Sequence, residues 1–157
     1  MPSLLFDLSG IPLDGEPVFD KEAVCSVNPQ RYEMQQLDGI LWYNKAKRLI
    51  VGYKDVTEKE FWIAGHIPGR PLMPGVIMIE SAAQLVSFFV KQIFEEEGFV
   101  GFAGIKSAKF RASVEPGCRL LLLGHVVEAR SRRYTCDVQG VVGGKIAFDT
   151  TVSGMKI

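Results

Sequence analysis

Cysteine is scarce in this chain, with three residues, Cys25, Cys118 and Cys136, among 157. Their number is odd and their spacing fits no metal-ligand pattern, which argues against a disulfide framework and against a zinc site. They are expected as free thiols in a reducing cytoplasm. Net charge is missing too, because eighteen basic residues balance eighteen acidic ones. No global field therefore favours nucleic acid or an anionic membrane, and a charged partner has to be gripped by a local patch. The longest apolar stretch, 76–94, is interrupted by Glu80, Gln84, Lys91 and Gln92, so it reads as a buried helix and not as a membrane span. The first residues have neither a basic stretch nor a continuous apolar one, and no signal peptide is expected. Repeats and low-complexity tracts are absent, and only two histidines occur, His66 and His125.

What the chain does have is grease, at 47% apolar residues, in a length that suits one domain. Residues 1–30 read as loop, with Pro2, Gly10, Pro12, Gly15 and Pro17 scattered among apolar anchors. Residues 38–42 and 48–56 read as two strands joined by a polar turn. Glycines and prolines then forbid regular structure over 65–75. Pro74 suits a helix entrance, and a helix is predicted over 75–97, stopping before Gly98. It is apolar on nearly every side, so other structure has to wrap it. Strands are predicted at 102–114, 119–129, 134–142 and 145–153, separated by short turns that imply antiparallel neighbours. Two strands, one buried helix and four strands give an α+β fold, a curved antiparallel sheet of about six strands rolled around a long central helix.

The chemistry concentrates between residues 61 and 84. A stiff Gly/Pro loop carries His66, and Glu80 sits in the first turns of the apolar helix among Val76, Ile77, Ile79 and Ala83. Histidine moves protons well near neutral pH. A carboxyl group keeps a proton to donate there only where burial discourages its ionisation. The two together make an acid/base pair. Gln84 lies one turn beyond Glu80 on the same helix face, placed to hydrogen-bond it. Duller readings stand beside these: an idle loop histidine, an interfacial carboxylate paired with arginine, and plain helix polarity for Gln84. His125 falls inside a strand and reads as non-functional. Phe88 and Phe89 read as core, Glu95 to Glu97 as an exposed helix end, and Arg130, Arg132 and Arg133 as a solvated turn.

The block Gly65-His66-Ile67-Pro68-Gly69-Arg70-Pro71-Leu72-Met73-Pro74-Gly75-Val76, followed by Glu80 and Ala83-Gln84, resembles the signature of bacterial 3-hydroxyacyl-[acyl-carrier-protein] dehydratases. These are hotdog-fold enzymes of fatty-acid synthesis, with a pattern close to G-H-F-P-G-x-P-x-M-P-G-V-x-x-x-E-x-x-A-Q. Residues 104–111 and 114–117, together with Arg31-Tyr32, Asp38 and 54–57, extend the likeness to about 29–153. Ile67 departs from the family's phenylalanine, and Glu33-Met34-Gln35-Gln36 replaces an apolar run that helps to shape the family's acyl tunnel. The first 28 residues have no counterpart in the family.

The resemblance implies roles. His66 would take the C2 proton and Glu80 would protonate the leaving hydroxyl. The backbone N–H of Gly75, at the helix start, would receive charge from the thioester oxygen, and the carbonyl of Leu72 would orient the imidazole. Glutamate at position 80 favours the general dehydratase over its isomerising relative. The expected partner is acyl carrier protein, met by a basic rim drawn from Arg70, Lys106, Lys109, Arg111 and Arg130 to Arg133. The resemblance also implies a homodimer, alone or as a trimer of dimers, with each site taking its histidine from one subunit and its carboxylate from the other. It implies a cytoplasmic enzyme with no metal or redox cofactor, while the balanced charge and the interrupted apolar stretch leave no nucleic acid or membrane expected as partner. A hotdog acyl thioesterase and a non-catalytic acyl-thioester-binding subunit are the competing functions.

Overall fold

A helix with grease on every side and a set of apolar strands satisfy one another only if the sheet curls round the helix. The computed structural model, which describes residues 2–157, has that arrangement. A short helix α1 (Lys21–Val27) precedes β1 (Gly39–Asn44) and β2 (Leu49–Asp55). The central helix α2 (Gly75–Phe88) follows, and then β3 (Val100–Phe110), β4 (Arg119–Ala129), β5 (Arg133–Val142) and β6 (Lys145–Lys156). All strand pairs are antiparallel, in the order β1-β2-β4-β5-β6-β3. This is the hotdog arrangement.

Helix α2 seats Ala82, Leu85 and Phe88 against the sheet with no exposed surface, and Phe89 just beyond it is equally buried. Each such large apolar side chain contributes about 1.5–3 kcal/mol by leaving water. Two glycines let the sheet come close enough. A Cβ at Gly52 would lie 2.7 Å from the Leu85 side chain, and one at Gly124 would lie 3.1 Å from it.

Several expectations change. Residues 1–30 are not all loop: the Asp20 side chain accepts from Ala23 N–H at 2.9 Å and starts α1. The residues before it run over the outer face of the sheet. There Leu5, Phe6, Leu8, Ile11 and Leu13 pack on a second apolar cluster of Leu41, Val51, Tyr53, Leu123 and Val141. The long helix does not reach residue 97. It ends at Phe88 and passes into a π turn, Phe89–Ile93, closed by Phe94 N–H donating to Phe89 O at 3.1 Å. The wider turn swings Phe94 into a stack with Phe89 and with Tyr134 (centroids 4.8 and 6.3 Å apart). The acidic run is therefore not a helix end, and Glu96 instead accepts hydrogen bonds from Tyr134 and Lys156. Burial, helped by the Glu96 bond, pushes the Tyr134 phenol up to about 12. Strand β3 begins before the predicted 102–114 and ends earlier, where Arg111 and Ala112 turn away to bond the carbonyl of Ala147, and it pairs with β6 and not with β4, the neighbour that the short turn between them implied.

Candidate active site

The histidine loop hangs from buried anchors. Glu60 pairs with Lys54 at 3.1 Å, and both side chains are almost wholly out of water. The Glu60 carboxylate also accepts from the Thr57 N–H at 2.9 Å and from its hydroxyl at 3.2 Å. Trp62 plugs into the main core, and its carbonyl accepts from the His66 N–H at 2.9 Å. Beside this base, burial raises the Asp38 carboxyl above its ordinary range, although it accepts from the Asp55 N–H and lies 3.8 Å from Lys21. Gly69, at φ +82°, turns the loop where other residues would be strained.

His66 itself is exposed, with Nδ1 2.8 Å from the carbonyl of Leu72. A carbonyl only accepts, so in the neutral ring Nδ1 carries the hydrogen and Nε2 keeps its lone pair. Two residues beyond Leu72, Pro74 opens α2 with no side-chain cap, leaving the amides of the first turn unclaimed by side chains. A Cβ at Gly75 would sit 2.7 Å from the Phe110 ring, so the close approach of β3 to the helix start fits glycine there. His66, Leu72, Gly75, Phe110 and Arg111 line one hollow.

Glu80 opens on the other side of the helix. It is half-buried at the head of a separate groove between α2, the start of β3 and the end of β6. The greasy seat expected for it is partial, since Ile79 points into the core while Val76 is 75% exposed. Gln84 fixes the carboxylate, donating from Nε2 to Glu80 Oε1 at 2.9 Å. Gln84 is itself fully engaged. Its Nε2 also donates to Met34 O at 2.6 Å, and its Oε1 accepts from the Gln36 and Leu37 N–H groups at 2.8 and 3.2 Å. The polar segment Glu33-Met34-Gln35-Gln36 thus clamps Gln84 through its backbone, which any side chains there could do.

One chain therefore assembles His66, Leu72 and Gly75 in one place and Glu80 with Gln84 in another, and its pockets do not bring the two sets together. The basic residues divide as well. Arg111 borders the His66 hollow and pairs with Asp149. Lys106, Arg130 and Arg133 line a third hollow with Glu128, whereas Arg70 and Lys109 are simply exposed. His125 lies on β4 and borders neither half-site. Sequence reasoning passed over Lys91, Ser87 and Gln30, which also line the Glu80 groove. The signal was there in Lys91, a cation interrupting an otherwise apolar helix.

Residues 28–151 match the FabA-like domain model. A curated 3-hydroxyacyl-[acyl-carrier-protein] dehydratase FabZ from Koribacter versatilis is 35% identical over 142 residues, 89% of this chain and 90% of that protein. The FabZ of Lactiplantibacillus plantarum is also 35% identical, over 87% of this chain and 92% of its own length. Among solved structures, the dehydratase heterocomplex ApeI:P from Xenorhabdus doucetiae aligns with a TM-score of 0.70 at 12% identity, over 85% of this chain and 90% of that one. The phenylacetic acid degradation protein PaaI from Thermus thermophilus aligns at 0.59 with 15% identity, over 78% and 94%. At those identities the structural likeness speaks for the fold alone.

Proposed function

This chain belongs to the FabA-like domain family, and from that premise we propose that it removes water from 3-hydroxyacyl thioesters held on acyl carrier protein, giving the trans-2-enoyl thioesters of fatty-acid synthesis. The observation that carries the reading is the split site. A base with a free Nε2 lies beside an uncapped helix start, and a tethered carboxyl group waits on a different face of the same chain.

Two copies related by a two-fold axis complete both halves, because a two-fold interface brings each patch of one chain to its complement on the other. Support comes from β3, whose second edge is unpaired at the end of the sheet. Exposed apolar side chains flank that edge, with Phe102, Ile105 and Phe110 on the strand and Val76 on the helix. A bare edge with this much grease is a surface built to be covered. We therefore infer a homodimer, and its free cysteines suit a reducing cytoplasm.

In each completed site His66 Nε2 takes the C2 proton of the substrate. The electron pair left at C2 first spreads onto the thioester oxygen, where the Gly75 N–H and the positive end of α2 receive it. A preorganised donor of that kind is worth about 3–4 kcal/mol at the transition state. The pair then closes the C2–C3 double bond as the C3–O bond breaks, and Glu80 of the partner subunit protonates the departing hydroxyl, releasing water. Leu72 and Gln84 act on orientation, holding the imidazole and the carboxyl group. The basic hollow of Lys106, Arg130 and Arg133 is a docking place for the acidic carrier.

The test is to follow a 3-hydroxyacyl-carrier substrate by the ultraviolet absorbance of the conjugated enoyl thioester while titrating free thiol. The proposal predicts a rise in absorbance with no thiol released. Thiol release without enoyl product would make the protein a thioesterase, and tight acyl binding with neither product would make it a non-catalytic subunit.

A further inference from the structure

The groove that begins at Glu80 ends on a cation. Its floor is one stripe of the central helix and the π turn, Glu80, Ala83, Ser87 and Lys91, at steps of three, four and four residues. At 1.5 Å per residue, Lys91 stands roughly 16 Å along the axis from Glu80. The middle of the groove is apolar, through Ala83, Val86, Phe102 and Val152, and suits a hydrocarbon chain.

The far end does not. Lys91 is half-buried, and its ammonium donates to the carbonyl of Val27 at 3.0 Å. No carboxylate among the described residues pairs with it. Two of its three donors are left over. The Ser87 hydroxyl precedes it by one turn, and in the same wall the side-chain oxygen of Gln30 is buried without a partner. A methyl terminus pressed against this end would strip water from a charge and an amide and give nothing back.

We propose that the groove selects acyl chains ending in a carboxylate, the half-thioesters of dicarboxylic acids, with Lys91 as the residue that reads the far end. This rests on the dehydratase reading for the head of the chain. The carboxylate takes the spare donors of Lys91 and the Ser87 hydroxyl, as charge-assisted bonds to a half-buried ammonium. A half-turn of the Gln30 amide exchanges its oxygen for its NH2 group and adds a third donor residue beside Lys91 and Ser87. The competing explanation is that Lys91 only caps the C-terminal end of α1, where a cation is also favourable. A cap of that kind alters stability but does not discriminate between chain ends.

The experiment compares the full-length wild type with Lys91→Met and Lys91→Gln. Lys91→Gln drops the charge while keeping a donor for Val27, so it serves if Lys91→Met does not fold. Calorimetry measures binding of saturated acyl-pantetheine pairs of matched length, from eight to fourteen carbons, ending in methyl or in carboxylate. The wild type is expected to prefer the carboxylate by about tenfold or more at the lengths that reach Lys91, by charge-assisted pairing, and both variants are expected to lose that preference. A preference for methyl at every length, or an unchanged ratio in the variants, overturns the proposal. Turnover of a four-carbon 3-hydroxybutyryl thioester, too short to reach Lys91, is measured separately. Its absence in the wild type would count against the dehydratase reading, while the binding ratio still decides the role of Lys91.

Discussion

Gln84 makes four hydrogen bonds with its side-chain amide, three of them to the backbone of residues 34–37 and one to Glu80. Its own carbonyl accepts from the buried Asn28 side chain at 2.9 Å. It is the joint between the loop before β1 and the proposed acid. Gln84→Leu keeps the volume but strands two backbone N–H groups and a carbonyl, each costing about 1–3 kcal/mol when buried. The predicted outcome is a lower melting temperature together with a fall in kcat larger than any change in KM, because the carboxylate is freed and not removed. An unchanged kcat in a folded Gln84→Leu variant would show that Glu80 needs no tether. At this scale the sequence was informative where side chains act through fixed spacing, as with Glu80 and Gln84 one turn apart. It was mute where the backbone does the work: nothing in Glu33-Met34-Gln35-Gln36 announces a clamp. Lys91 was visible as an interruption of the apolar helix, but its consequence needed the groove.

At the scale of elements, the largest omission was the segment before α1. Proline and glycine do keep it irregular, yet it is a cover, held by Leu5 N–H donating to Gln139 Oε1 at 2.7 Å and by Gln139 Nε2 donating to Ser3 O at 3.0 Å. A signal existed in β4. Leu120 and Leu122 face the helix while Leu121 and Leu123 face the segment, so four leucines run without the alternation of a half-exposed strand. A chain lacking residues 2–15 is predicted to expose Leu41, Val51, Leu123 and Val141, to melt at lower temperature and to self-associate in light scattering. A truncated protein that stays unassociated with an unchanged melting temperature would mean that the cover contributes nothing. The helix boundary was misread for a similar reason, since Phe94 at the end of the π turn stacks on Phe89 and on Tyr134, a partner distant in sequence.

At the scale of the molecule, the antiparallel sheet and the buried helix were legible from apolar patterning and short turns, but the strand order was not, because the short turn between β3 and β4 joins strands that pair with β6 and β2 instead of with each other. The separation of His66 from Glu80 came only with the family resemblance and not from the residues themselves, since fourteen residues of loop and helix could have folded the two side chains to one side or to opposite sides. The central claim is that an active centre is made between two chains. His66→Ala and Glu80→Ala homodimers should each lose about two to four orders of magnitude in turnover, the usual contribution of a positioned acid or base. Co-refolding the two variants in equal amounts makes half of the dimers mixed, and each mixed dimer has one site with both groups intact. The enoyl-forming activity of that mixture is the direct measurement: the account predicts recovery to about a quarter of wild type, and a mixture no more active than its parents would contradict it.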